Sequence, residues 1–113
     1  MITIWHHPRC SKSRQTLALL EQQGGAITIR KYQEDPPSID EIRAALTALD
    51  LEAIDMIRTG EALFKTLGLS RQSESAALIA AMADNPVLIE RPIVFVAGRA
   101  AIGRPPENVL SIL

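Results

Sequence analysis

Within its first 32 residues the chain passes through a strand, a helix and a second strand, a succession that leaves few ways to fold. Ile2–Thr3–Ile4–Trp5 is short, β-branched and aromatic, as a strand requires. Pro8 lacks a backbone donor and cannot extend that strand. From Ser11 the segment SKSRQTLALLEQQ turns helical, with Thr16, Leu17 and Leu20, and the neighbouring Ala18 and Leu19, on an apolar side. Gly24–Gly25 stops it as a C-terminal cap would. Ala26 to Tyr32, AITIRKY, is the next strand. Two strands joined by a helix over so short a stretch must pair in parallel, through a right-handed crossover.

The remainder reads as a helical insertion followed by a hairpin. Pro36–Pro37 breaks the chain, and Ser38 with Glu41 forms a capping-box signature for a helix reaching about Leu49. Glu52 to Leu69 predicts short helical pieces, interrupted at Gly60 and Gly68. Ser73 to Ala83 predicts an alanine-rich helix ended by Asn85–Pro86. Ile93 to Ala97 is an apolar strand, Gly98 a turn, and Arg99 to Ile102 a last short strand. Pro105–Pro106–Glu107 suits the first turn of a closing helix. This order predicts an α/β fold: a thioredoxin-like four-stranded mixed sheet with flanking helices and a helical insertion at about residues 38–84. The 113 residues are expected to make one domain.

Composition narrows the function classes. The longest apolar runs, Ala76 to Ala83 and Ile93 to Ala97, fall well short of the roughly 18 residues of a membrane span. The opening MITIWHHPRC has no charged start and no long apolar middle, so a cytoplasmic protein is expected, with no membrane partner. A net charge of −1 argues against a nucleic-acid binder. Residues 1–33 nevertheless hold five basic groups against Glu21 alone, whereas residues 34–113 hold seven basic and twelve acidic groups. A compact cationic region on a mildly acidic chain fits a small anionic ligand. Cys10 is the sole cysteine, which excludes an internal disulfide and any multi-cysteine metal centre within one chain. If Cys10 does redox chemistry, its second sulfur comes from another molecule.

The stretch HHPRCSKSR, residues 6–14, is the most informative for chemistry. It sets Cys10 between a strand and a helix start, where unpaired N–H groups and the helix dipole favour an anion such as a thiolate. Arg9, Lys12 and Arg14 add positive charge, and both effects lower a thiol pKa. So many cations argue against the alternative, an inert apolar cysteine. His6 and His7 could hydrogen-bond the thiol or serve only the turn. Ser11 and Ser13 could cap the helix, donate to sulfur, or do both. Three later arginines stand beside turn or proline residues: Arg58 before Thr59–Gly60, Arg91 before Pro92, and Arg104 between Gly103 and Pro105. Their donor forks suit a tetrahedral oxyanion, although each could equally be a surface charge.

HHPRCSKSR, EDPPS at 34–38, Thr66–Leu67–Gly68–Leu69–Ser70, NPVLIERPIV at 85–94 and GRPPE at 103–107 together resemble the glutaredoxin-coupled arsenate reductases of the ArsC family, within the thioredoxin-like superfamily. The resemblance runs from Ile2 to the C-terminus with motif order preserved. It implies Cys10 as nucleophile, assisted by His6, with Ser13 and Arg14 in the same motif. It further implies Arg58, Arg91 and Arg104 as the oxyanion-binding arginines, and Pro92 as the cis-proline of the fold. His7, Arg9, Ser11 and Lys12 stand where the best-known members carry asparagine, a small residue, glycine and threonine, a form shared by other ArsC-like proteins.

The resemblance therefore implies conversion of arsenate to arsenite, with glutathione as co-substrate, glutaredoxin as partner, no tightly bound cofactor and no metal, in a monomer. A glutathione-dependent thiol reductase of the same group is the alternative. An Spx-like regulator binding RNA polymerase is a third, set back because Ser13 occupies the second cysteine position of the Cys-x-x-Cys switch.

Overall fold

The computed structural model describes residues 1–113, which form two compact units: residues 1–35 with 91–113, and residues 36–90. The first unit holds β1 (Ile2–His6), α1 (Ser11–Gln23), β2 (Ile27–Lys31), β3 (Ile93–Val96), β4 (Arg99–Ile102) and a terminal 3₁₀ helix, Pro106–Ile112. Its sheet has the order β2-β1-β3-β4. β1 and β2 are parallel, whereas β3 runs antiparallel to both β1 and β4. The expected four-stranded mixed sheet is thus present.

The register explains the core. Ile4 of β1 stands opposite Val94 of β3. With Leu20 of α1 and Val109 and Ile112 of the terminal 3₁₀ helix, these residues make one buried cluster. Each such aliphatic side chain contributes about 1.5–3 kcal/mol on burial. β2 is an edge strand, which is why Ile29 stays exposed. The buried face of α1 is Ser13, Thr16 and Leu20, helical spacing whose N-terminal end is polar. Thr16 satisfies its hydroxyl on the Lys12 carbonyl at 2.8 Å.

The second unit is helical: α2 (Ile39–Leu49), α3 (Ala53–Met56), α4 (Ala62–Thr66), α5 (Ser75–Asp84) and a 3₁₀ turn, Pro86–Leu88. The insertion expected at 38–84 falls within it. The Ser38–Glu41 capping box is formed, with Glu41 N–H donating to Ser38 Oγ at 3.1 Å and Ser38 N–H to Glu41 Oε1 at 3.0 Å. α5 packs on α2 and α3 and starts at Ser75, two residues later than the sequence predicts. The reason is local: Ser73 Oγ accepts from Ser70 N–H at 2.9 Å, so residues 70–73 close a turn instead. No helix is long and apolar enough to cross a membrane.

Two backbone details shape the sheet end. Ala97 and Gly98 join β3 to β4, both with positive φ, as a tight two-residue hairpin turn demands. Gly103 donates its N–H to the Pro92 carbonyl at 3.0 Å. A β-carbon at position 103 would collide with Thr16 Oγ1 and lie 2.9 Å from Pro92 Cγ. Two outcomes are expected in denaturant titrations. Gly103→Ala costs about 1–3 kcal/mol through overpacking. Ala97→Asn adds about 0.5–1 kcal/mol, because asparagine tolerates the left-handed conformation better than alanine.

Candidate active site

β1 ends at His6, and the turn that follows delivers Cys10 to the N-cap position of α1. Cys10 N–H donates to the His7 carbonyl at 3.0 Å, and its own carbonyl accepts the first helical bond from Arg14 N–H. The Arg14 guanidinium donates to the Pro8 carbonyl at 2.9 Å and so ties the turn to the helix. Ser13 is completely buried on the inner face of α1. Its Oγ accepts from His7 N–H at 3.0 Å and is hydrogen-bonded to His6 Nδ1 at 2.7 Å. Burial, with Lys31 and Arg14 nearby, holds the His6 pKa below its ordinary value. A neutral His6 with its proton on Nε2 accepts a hydrogen bond from the Ser13 hydroxyl at Nδ1, leaving Ser13 Oγ free to accept from His7 N–H.

From the other end of the unit come two arginines. The Arg104 guanidinium donates to Cys10 Sγ at 3.5 Å and, through Nε, to the Arg91 carbonyl at 2.8 Å. Asn108 braces the Arg104 carbonyl at 2.9 Å. Both Arg91–Pro92 and Arg104–Pro105 are cis. Burial pushes the Cys10 thiol up, but the Ser13 N–H, the Arg91 side chain, the Lys12 N–H and the Arg104 charge together carry it below its ordinary value. The Cys10 side chain makes no capping hydrogen bond to the helix, whereas Arg104 already donates to its sulfur; each of these groups favours the thiolate over the thiol. The sequence assigns this role to the helix-start N–H groups and to the Arg9, Lys12 and Arg14 side chains; the structure keeps the N–H groups and replaces those side chains with two distant arginines. Arg9 and Lys12 are exposed.

Arg58 belongs to the second unit, between α3 and α4. Its guanidinium is held by Glu61 at 3.1 Å and Glu90 at 2.7 Å. Beside the turn that carries Cys10, a cavity of about 350 Å³ is lined by His6, His7, Pro8, Arg9, Lys31, Gln33 and Glu34. Two residues that sequence reasoning passes over belong to this neighbourhood. Gly103 sets the approach of the Arg104 segment, and Tyr32, at the end of β2, feels the charges of Arg91 and Cys10. Only a lone tyrosine closing a strand, and a glycine before an arginine, would have hinted at them.

Residues 5–112 match the model of the ArsC family. The chain belongs to the ArsC family. It is 46% identical to an arsenate reductase of Neisseria meningitidis serogroup A, over 99% of this chain and 97% of that one. It is 47% identical to the uncharacterized YfgD of Escherichia coli, covering 99% and 96%. Among solved structures, the arsenate reductase of Vibrio cholerae superposes with a TM-score of 0.95 at 52% identity, covering 99% and 97%. The four-stranded sheet with its helices is accordingly the thioredoxin-like fold of ArsC proteins.

Two expectations follow for this ArsC site. Cys10 alkylation by iodoacetamide, measured against pH, has its midpoint below that of the denatured chain. Between the folded and the ordinary thiol pKa only the unfolded chain carries the proton. The thiol's contribution to stability therefore rises with pH across that window and is lost as pH falls through the folded value. Ser13→Ala costs about 1–3 kcal/mol, because a buried imidazole nitrogen and the His7 N–H lose their partner. Its alkylation midpoint stays near wild type, since the backbone N–H of residue 13, not the hydroxyl, lowers the thiol.

Proposed function

We propose that this ArsC-family protein is an arsenate reductase in which Cys10 is the nucleophile and both reducing thiols come from outside the chain. The observation that carries the reading is a solitary cysteine at the start of α1 with the Arg104 guanidinium 3.5 Å from its sulfur. Relatives named as arsenate reductases, matched over nearly their whole length, support it.

The chemistry follows from these residues. Arg91 and Arg104 hold arsenate by paired donors, and Arg58 is the third cation that the family resemblance assigns. The Cys10 thiolate attacks arsenic, an As–S bond forms, and an arsenate oxygen leaves as water after protonation. His6, oriented by Ser13, assists the nucleophile, while Arg14 steadies the turn. Glutathione then attacks the adduct, and glutaredoxin takes over the sulfur exchange. Arsenic gains two electrons, the two external thiols end as a disulfide, arsenite departs and the Cys10 thiolate is regenerated. A chain with one cysteine cannot supply those thiols itself. Arg9 and Lys31, on the rim of the cavity beside the turn, are suited to the carboxylates of glutathione. The protein works as a monomer in the cytoplasm, where thiols remain reduced.

The test is arsenite production from arsenate with glutathione and glutaredoxin. Cys10→Ser abolishes turnover, and Arg91→Ala or Arg104→Ala lowers kcat/KM by about 10²–10³-fold. Arg58→Ala costs less, because Glu61 and Glu90 already engage its guanidinium. A wild type active on glutathione mixed disulfides but inert toward arsenate would replace this reading with a glutathione-dependent thiol reductase.

A further inference from the structure

Two turns leave the same end of the sheet. β1 and β2 run parallel with His6 opposite Lys31, so the chain exits both strands side by side. The exit from β1 is closed by Cys10 N–H on the His7 carbonyl at 3.0 Å and by the Arg14 guanidinium on the Pro8 carbonyl at 2.9 Å. The exit from β2 is closed by Glu34 N–H and Asp35 N–H, which both donate to the Lys31 carbonyl, at 3.0 and 2.9 Å. Arg30 then grips Asp35, its Nε donating to the carbonyl at 3.1 Å and lying 3.2 Å from Oδ2. These two turns wall the cavity of about 350 Å³, a volume within the roughly 300–1,000 Å³ of small-ligand sites. Ligands of open α/β sheets settle outside the carboxyl ends of the strands, as this position allows.

The lining is charged in a particular pattern. Arg9 and Lys31 bring two cations and Glu34 one carboxylate, and none of the three enters an ion pair of the chain. All three side chains are exposed, so a ligand reaches them directly from solvent. A bare oxyanion suits such a lining poorly, because Glu34 repels it and the volume is larger than one tetrahedral ion fills. The complement is a zwitterion with two carboxylates and one ammonium group, long enough to spread them over both turns. Arg9 directly precedes Cys10, so a thiol carried by such a ligand arrives next to the nucleophile.

We propose that this cavity is the subsite of the reducing thiol, a γ-glutamyl tripeptide such as glutathione, with Arg9 and Lys31 on its carboxylates and Glu34 on its ammonium group. This deepens the reading above and rests on one part of it, that the reducing sulfur comes from outside the chain. Glu34 is the selecting residue: it admits a zwitterion and turns away simple anions, leaving Arg91 and Arg104 to hold the oxyanion. Both turns are pinned by their own hydrogen bonds before a ligand arrives, so little backbone ordering is lost on binding.

The probe is S-methylglutathione, which cannot exchange sulfur with Cys10, titrated into the full chain and followed by backbone amide resonances. Saturable shifts are expected in residues 6–9 and 31–34, and the affinity falls as salt is added. Arg9→Ala and Lys31→Ala each weaken binding about two- to fivefold, as for exposed ion pairs. Glu34→Gln is the deciding variant. It weakens binding of the zwitterion by a similar factor, whereas a site for a simple anion would bind more tightly. Tighter or unchanged binding in Glu34→Gln overturns the proposal, as does the absence of saturable shifts at the two turns. A second measurement leaves the protein intact. S-methylglutathione esterified at its glycyl carboxylate binds wild type more weakly, and loses nothing further in whichever alanine variant removes that carboxylate's partner. Full additivity in both variants overturns the pairing. If the probe does not bind while glutathione still drives arsenate reduction, the proposal falls and the arsenate reading stands. If the probe binds as expected and arsenate is not reduced, the arsenate reading falls and the subsite stands, in a glutathione-dependent thiol reductase.

Discussion

Gly103 carries a hydrogen where any side chain would strike Thr16 and crowd Pro92, and its N–H closes on the Pro92 carbonyl at 3.0 Å. Three pieces of chain meet at that point: the second turn of α1, the start of β3 and the end of β4. Arg91 precedes Pro92 and Arg104 follows Gly103, so the closure holds both arginines at the end of α1 where Cys10 stands. The Arg104 contact with the Arg91 carbonyl, 2.8 Å, locks the pair a second time. An arginine on an open loop would sample many rotamers and lose most of its value as an oxyanion ligand. Here the backbone has already removed much of that freedom.

The electrostatics follow from the same arrangement. Burial alone would make Cys10 a poor nucleophile, yet helix-start N–H groups and two guanidinium groups reverse that tendency. His6 is kept neutral by burial and by neighbouring cations, so it adds no charge and is oriented by Ser13. Ser13 thereby has two separable duties. Its hydroxyl organises the two histidines, whereas its backbone N–H acts on sulfur. The buried face of α1 is polar at this end because that face builds the site, and apolar at Leu20 because there it meets the core.

Much of the scaffold is legible along the chain because its signals are local. The β-branched run at Ile2, the double glycine after Gln23, the Ser38–Glu41 box and Pro106 at the opening of the terminal helix each act over a few residues. Where reading along the chain misplaces a boundary, as at Ser73, the cause is a competing local bond: Ser73 closes a turn with Ser70 instead of starting α5. The closing helix is 3₁₀ over Pro106–Ile112, a distinction that residue pattern does not carry.

The chemistry divides along the same line. That any disulfide chemistry at Cys10 would need sulfur from another molecule is settled by composition, since one cysteine cannot form a disulfide with itself. Its place at a strand-to-helix junction is settled by local pattern. Which cations tune it is a tertiary matter. Arg9, Lys12 and Arg14 are near in sequence, but the first two face solvent and the third binds the Pro8 carbonyl. Arg104, ninety-four positions away, donates to the sulfur. Sequence distance measures only how the chain is connected, whereas charge acts through space, and folding alone decided which arginines reached the thiol.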